Sequence, residues 1–206
     1  MCIYNREFFL PHSKILSMNY TYAVYKSAIP ETYCKYIIDV ANSFKEEDAT
    51  IGNRVIDSNV RTSKLRWIMP GQNTRELFAY LNSFAERANR KQFGFDISYG
   101  NESFQFTEYR AEDKGHYSWH IDSHIDSGVP ICDRKLSLVI QLSDPSEYEG
   151  GQFCIDKYVQ PPFDMANYAP IGSIIVFPSY IKHCVTPVTK GVRRSLVTWY
   201  LGSSFR

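Results

Sequence analysis

The sequence predicts an α+β domain, mainly antiparallel β, arranged as a sandwich or jelly roll and buttressed by N-terminal helices. Two observations carry that prediction. Apolar residues recur at helical spacing in the first half of the chain and at strand spacing in the second. Short β-branched or aromatic runs, bounded by Gly, Pro, Asp or Ser, then follow one another from Phe104 to Leu201. No internal repeat or low-complexity linker divides the 206 residues. One domain over residues 18–206 is therefore expected behind a peripheral arm at 1–17.

In chain order, the arm MCIYNREFFLPHSKILS has too short an apolar centre for a signal peptide, and charges interrupt it. A strand-like run, NYTYAVY, follows Met18 at once. Pro30 fits the first turn of a helix, where its missing N–H does no harm. Tyr33, Ile37, Val40, Ala41 and Phe44 then share one helical face. A second helix starts near Asn73 or Thr74, either of which can cap it, and buries Leu77, Phe78, Leu81, Phe84, Ala85 and Ala88. The strands expected next are Phe104–Tyr109, Tyr117–Asp122, Lys135–Leu142, Gly151–Ile155, Ile171–Phe177, Ile181–Val188 and Arg193–Leu201. Two irregular segments, 46–64 and 157–170, are long enough to be binding loops or lids.

Composition narrows the function. The formal net charge is +1, which favours neither nucleic acid nor an anionic membrane as a partner. No apolar stretch approaches the ~20 residues of a membrane helix. The five cysteines form no CxxC pair and their count is odd, so neither a zinc knuckle nor a disulfide framework is expected. Reduced thiols in a cytoplasm are the simplest reading, with Cys154 and Cys184 as small core residues.

The sharpest local signal is Tyr117-Ser-Trp-His120-Ile-Asp122. Residues i and i+2 of a strand point to one side, so His120 and Asp122 can present a nitrogen and a carboxylate oxygen to one ion. His183 lies about sixty residues on, in a strand of its own. Two His and one carboxylate leave open coordination positions, an arrangement that suits oxygen-activating iron(II). Arg193 follows ten residues later. Its guanidinium can hold a carboxylate through two parallel hydrogen bonds. Alternation puts Arg193, Ser195, Val197 and Trp199 on one face and Arg194, Leu196 and Thr198 on the other. Blander readings stand beside these. His120 can be a surface histidine, Asp122 a turn residue, His183 a satisfied core histidine, and Arg193 with Arg194 a solvated edge pair. A zinc site using His116, His120 or His124 is a further alternative.

HxD, a distant His and an Arg ten residues beyond resemble the 2-oxoglutarate/iron(II) dioxygenase superfamily. The resemblance extends to its prolyl 4-hydroxylase-like branch, including the PKHD-type hydroxylases. It is carried by Val60-Arg-Thr-Ser63, Phe106-Thr-Glu-Tyr109-Arg, Leu142-Ser-Asp-Pro, Tyr148-Glu-Gly-Gly151 and Val185-Thr-Pro-Val-Thr-Lys-Gly191, in that order over about residues 20–202. It implies a double-stranded β-helix, the jelly roll of that family. It implies iron(II) on His120, Asp122 and His183, and the distal carboxylate of 2-oxoglutarate on Arg193, where many prolyl hydroxylases use Lys. Tyr109 would hydrogen-bond the co-substrate, Trp199 would line the pocket, Gln141 would reach into it, and Arg61 would face the substrate from a loop. O2 would be the second co-substrate and ascorbate an accessory reductant.

The activity so implied is hydroxylation of an unactivated C–H bond with release of succinate and CO2. A prolyl residue of a protein or peptide is the leading substrate. A free amino acid or small molecule is an alternative, as is a metal-binding jelly-roll module without catalysis. Nucleic-acid demethylation is disfavoured, because relatives with that role carry a second arginine where this chain has Trp199. The sequence does not specify an oligomeric state.

Overall fold

The computed structural model describes residues 21–50, 55–98, 100–123, 132–156 and 164–204. The expected arm at 1–17 and the competing ligand His124 lie outside them. The strands are β1 (Ala23–Tyr25), β2 (Glu47–Asp48), β3 (Arg61–Thr62), β4 (Lys64–Ile68), β5 (Phe104–Arg110) and β6 (His116–His120). They continue as β7 (Cys132–Gln141), β8 (Tyr148–Gly150), β9 (Phe153–Ile155), β10 (Ile174–Pro178), β11 (His183–Val185) and β12 (Val188–Ser203). The helices are α1 (Glu31–Asn42), α2 (Arg75–Ala88) and the single turn α3 (Met165–Tyr168). No described helix is long and apolar enough to cross a membrane.

The strands form two antiparallel sheets. The larger runs β1-β10-β7-β12-β5-β4-β2, with β8 also paired to β12; the smaller runs β3-β6-β11-β9. This is the expected jelly roll with its helical buttress. The larger sheet is buried on both faces. Phe104, Phe106, Leu136, Leu138, Ile140 and Leu196 pack outward against α1 and α2. Tyr109, Val139, Ile175 and Phe177 pack inward with Phe153, Ile155 and Val185 of the smaller sheet. Each large apolar side chain buried this way contributes roughly 1.5–3 kcal/mol, and strict alternation along β5, β7 and β12 shares that burial between two cores.

The whole expected stripe of α2 is buried. Its start differs from expectation. A 3-10 turn, Gln72–Thr74, runs directly into the helix, and Thr74 keeps a helical backbone. The Thr74 hydroxyl therefore donates to the Met69 and Gly71 carbonyls and does not cap the helix. Pro30 sits just outside α1, extended at φ −58°, ψ 145°, and its carbonyl accepts from the N–H groups of Tyr33 and Cys34. The buried face of α1 is Cys34, Ile37 and Ala41; Tyr33, Val40 and Phe44 are only partly covered.

Two strands end earlier than expected. β6 stops at His120, because the N–H groups of Asp122 and Ser123 turn to the Ser179 carbonyl. β11 keeps only three residues. β12 is longer than expected at 16 residues. Segment 46–64 carries β2 and β3, and residues 164–170 carry α3; 51–54 and 157–163 lie outside the described residues. Cys184 is buried as expected, while Cys154 is only partly so.

Candidate metal centre

The smaller sheet delivers two imidazoles to one point. In the β6–β11 ladder His120 lies opposite His183 and Tyr117 opposite Val185. Three steps of β6 thus face two of β11, a β-bulge. The extra residue re-aims the chain so that Tyr117 and His120, three apart, both turn to the interior, where simple alternation would separate them. Asp122 arrives from the turn beyond β6. The expected strand geometry for His120 and Asp122 is therefore replaced by a bulge and a turn, with the same convergence. His120 Nε2 lies 3.6 Å from Asp122 Oδ1, and His183 Nε2 lies 3.5 Å from Asp122 Oδ2. The three ligand atoms all fall within 4.8 Å of one another.

Backbone carbonyls set the imidazole tautomers. His120 Nδ1 meets the Ser118 carbonyl at 2.8 Å, and His183 Nδ1 meets that of Ile181 at 2.9 Å. A carbonyl only accepts, so each Nδ1 carries the hydrogen and each Nε2 presents its lone pair. Burial pushes His183 down to about 4, against the pull of Asp122, so the ring is neutral near pH 7. Burial pushes the Asp122 carboxyl up, but His183, His120 and the Ser137 hydroxyl together hold it well below the usual carboxylate range. Ser137 Oγ donates to Asp122 Oδ2 at 2.7 Å and meets Ser179 Oγ at 3.0 Å. Aromatic rings surround the imidazoles. Tyr117 stacks on His120 at 3.5 Å, and Phe177 stands edge-on to His183 at 4.9 Å.

The triad opens into a cavity of about 400 Å³, also lined by Arg61, Tyr109, Arg193 and Trp199. The expected face of β12 is borne out, since Arg193, Ser195, Val197 and Trp199 all line it, while Arg194 pairs with Glu108 outside. Arg193 is 1% exposed. Among the described residues neither of its terminal nitrogens has a hydrogen-bond partner. Gly151, at φ +59°, makes its room: a Cβ there would stand 3.1 Å from Arg193 Cδ and 2.8 Å from Val188 Cγ2. A buried guanidinium without an acceptor is costly, and a carboxylate is its natural complement. The far carboxylate of a dicarboxylate co-substrate fits that need. Two imidazoles and one carboxylate on one side of an ion fit iron(II) with positions left open.

The other expected site residues divide. Tyr109 is buried with its ring 5.6 Å from the Arg193 guanidinium. Trp199 lies under the Arg134 guanidinium at 3.8 Å. Arg61 is 7% exposed and faces the cavity, not solvent. Gln141 is buried but does not line the cavity: its Nε2 donates to Tyr148 Oη at 2.7 Å and to the Ser143 carbonyl. Alternation pointed it inward correctly, and Tyr148 takes its amide. His116 bonds the Lys114 and Asn59 carbonyls and stands apart from the triad, which removes it from the zinc alternative. Tyr117, Ser137 and Ser179 were not foreseen. The one available signal was Ser137, a small polar residue inside the otherwise apolar run Leu136–Ile140 of β7.

A jelly roll with two histidines and a carboxylate at one end of a cavity, and an arginine also lining it whose terminal nitrogens have no partner among the described residues, is an arrangement that fits non-haem iron chemistry. Residues 104–201 match the family model described as the 2OG-Fe(II) oxygenase superfamily. A PKHD-type hydroxylase, YbiX, of Shigella boydii is 37% identical over 95 residues, which is 44% of this chain and 40% of that protein. A PKHD-type hydroxylase of Crocosphaera subtropica is 35% identical over 97 residues, covering 47% and 41%. The match thus spans about two fifths of the length of these curated relatives. Among solved structures, a Pseudomonas putida prolyl-4-hydroxylase superposes with a TM-score of 0.64 at 19% identity, covering 87% of this chain and 92% of that one. A Trichoplax adhaerens prolyl hydroxylase, in complex with a hypoxia inducible factor oxygen degradation domain peptide fragment, gives 0.68 at 17%, covering 88% and 84%. These two likenesses establish the shared fold.

Proposed function

We propose that this protein is an iron(II)- and 2-oxoglutarate-dependent dioxygenase that hydroxylates a prolyl residue of a protein or peptide. The observation that carries the reading is the buried guanidinium of Arg193, whose terminal nitrogens find no carboxylate among the described residues, in the same cavity as the His120–Asp122–His183 triad. A structural metal site needs no second charge of that kind. The prolyl substrate is supported by relatives that are PKHD-type and prolyl hydroxylases, one of them bound to a peptide.

When bound, iron(II) with 2-oxoglutarate and O2 supplies the oxidising power for C–H hydroxylation, with succinate and CO2 released. The chain supplies the rest. His120 and His183 would hold the metal through Nε2, because their Nδ1 hydrogens are committed to carbonyls. Asp122 would stay ionised through Ser137 and the imidazoles, contributing charge without a proton to lose. Arg193 would fix the far carboxylate of the co-substrate by a two-point grip, which orients its keto acid end toward the triad. Tyr117, Phe153 and Phe177 wall the imidazoles and keep water from the reacting atoms.

The test is an anaerobic titration of metal-free protein with iron(II) and then 2-oxoglutarate, followed by the weak visible charge-transfer band of the chelate. The band should form in the parent protein, vanish in His183→Ala, and need at least tenfold more 2-oxoglutarate in Arg193→Ala. Absence of any band in folded parent protein would overturn the oxygenase reading.

A further inference from the structure

Six arginines lie on the described strands around the cavity, and four of them are paired with carboxylates. Arg66, Arg110 and Arg194 converge on Glu108, and Arg134 grips Glu102 through two nitrogens. Arg61 is the exception besides Arg193. It is 7% exposed, yet its protein partners are neutral: Nε donates to Ser63 Oγ at 3.0 Å and Nη2 to Gln105 Oε1 at 2.8 Å. Among the described residues no carboxylate pairs with it. The cost of burying an uncompensated cation is not met by these hydrogen bonds, which satisfy donors but not charge.

Its position gives that cost a purpose. β3 pairs with β6 so that Arg61 lies opposite Tyr117. The guanidinium sits over the Tyr117 ring at 4.5 Å, and the same ring stacks on His120 at 3.5 Å. A single aromatic ring therefore connects the free cation to a metal-ligating imidazole. A group bound at Arg61 lies within one or two residues of extended chain, at ~3.5 Å each, of whatever reacts at the metal. Ser63 and Gln105 hold the fork in place, so it is preorganised for a carboxylate.

We propose that Arg61 is a specificity-determining residue that reads a carboxylate on the substrate, so that the prolyl residue hydroxylated lies beside a negative charge. This rests on the oxygenase reading above and narrows its substrate class. The carboxylate has two sources, the side chain of an adjacent acidic residue or the α-carboxylate of a terminal prolyl residue. Neutral prolyl sites are then poor substrates, because they leave Arg61 buried without its counter-charge.

The experiment uses full-length protein loaded anaerobically with iron(II) and 2-oxoglutarate, titrated calorimetrically with three probes. These are acetyl-Ala-Pro-Asp-amide, acetyl-Ala-Pro with a free carboxylate, and the neutral acetyl-Ala-Pro-Asn-amide. One acidic probe should bind at least tenfold more tightly than the neutral one, and which of the two it is identifies the source. Arg61→Met should abolish that preference while the iron–2-oxoglutarate band persists. If Arg61→Met does not fold, Arg61→Lys carries the test: it keeps the charge, loses the fork, and should cut the preference at least threefold. Equal binding of neutral and acidic probes, no binding of any, or a preference undiminished in the Arg61 variants overturns the proposal. A missing band in the parent protein instead overturns the oxygenase reading, and this inference falls with it.

Discussion

Asp122 shows how much one hydroxyl can do for a proposed metal ligand. Its carboxylate is buried between two imidazoles, and its Oδ2 accepts from Ser137, which is itself held by Ser179. Without iron, the hydroxyl is the main fixed donor to that oxygen. With iron, it orients the carboxylate so that the other lone pairs face the ion. Ser137→Ala removes this anchor and leaves every ligand in place. Iron(II) affinity should fall about 10–100-fold, as expected for an outer partner of a ligand, while the fold survives. Competition against a chelating dye measures it; unchanged affinity would show that the two imidazoles alone position Asp122. Such partners are poorly legible in sequence. His120, Asp122, His183 and Arg193 could be read because their chemistry demands particular residue types at particular spacings. Ser137 carries no such demand, and Gln141 looked equally eligible until Tyr148 was found to take its amide.

Strand pairing explains both what alternation revealed and what it hid. β12 could be read residue by residue, since its two faces differ in polarity and no bulge interrupts its pairing with β5 from Val192 to Val197. β6 could not. Its bulge depends on what β11 offers opposite, and no local pattern in Tyr117–His120 announces it. The outer face of β4, β5 and β12 hides a second non-local feature. Glu108 takes Arg66, Arg110 and Arg194 from three strands, and Glu46 extends the network. Burial pushes the Glu108 carboxyl up, but the arginines outweigh it and hold the group below its ordinary value. A carboxylate depressed on folding contributes stability above its unfolded pKa, and that contribution is lost as pH falls through the folded value. Glu108→Gln should therefore cost about 1.5–3 kcal/mol near neutral pH, because it takes the carboxylate from Arg194 and leaves Arg66 and Arg110 with Glu46 alone. The cost should shrink as pH falls below the ordinary carboxylate range toward the depressed folded value of Glu108, where the parent protonates too. Urea unfolding of both proteins at pH 7 and pH 3.5 tests this. An equal cost at both pH values would mean that the network acts by shape and not by charge.

The division of labour between the sheets sets what the metal does to stability. The strand-rich second half and the helical buttress were legible because the period of the apolar residues changes; which strands join which sheet was not, because β3, β6, β9 and β11 pair across long separations. Those four are short, and they carry both histidines. Their link to the larger sheet at the site runs through Asp122 and its bond to Ser137 of β7. A metal on His120, Asp122 and His183 ties the smaller sheet to that anchor, and it binds only the folded arrangement. Mass action then stabilises the protein by about 2.7 kcal/mol at a hundredfold excess of metal over its dissociation constant. For a chain of this length that is a rise in Tm of roughly 5–10 °C. The rise should be reversed by a chelator and absent in His183→Ala. 2-Oxoglutarate should add a further increment only when metal is present, since Arg193 then shares one ligand with it. A metal-independent stabilisation by 2-oxoglutarate would instead mean that Arg193 binds the dicarboxylate by itself, and that the two halves of the site act separately.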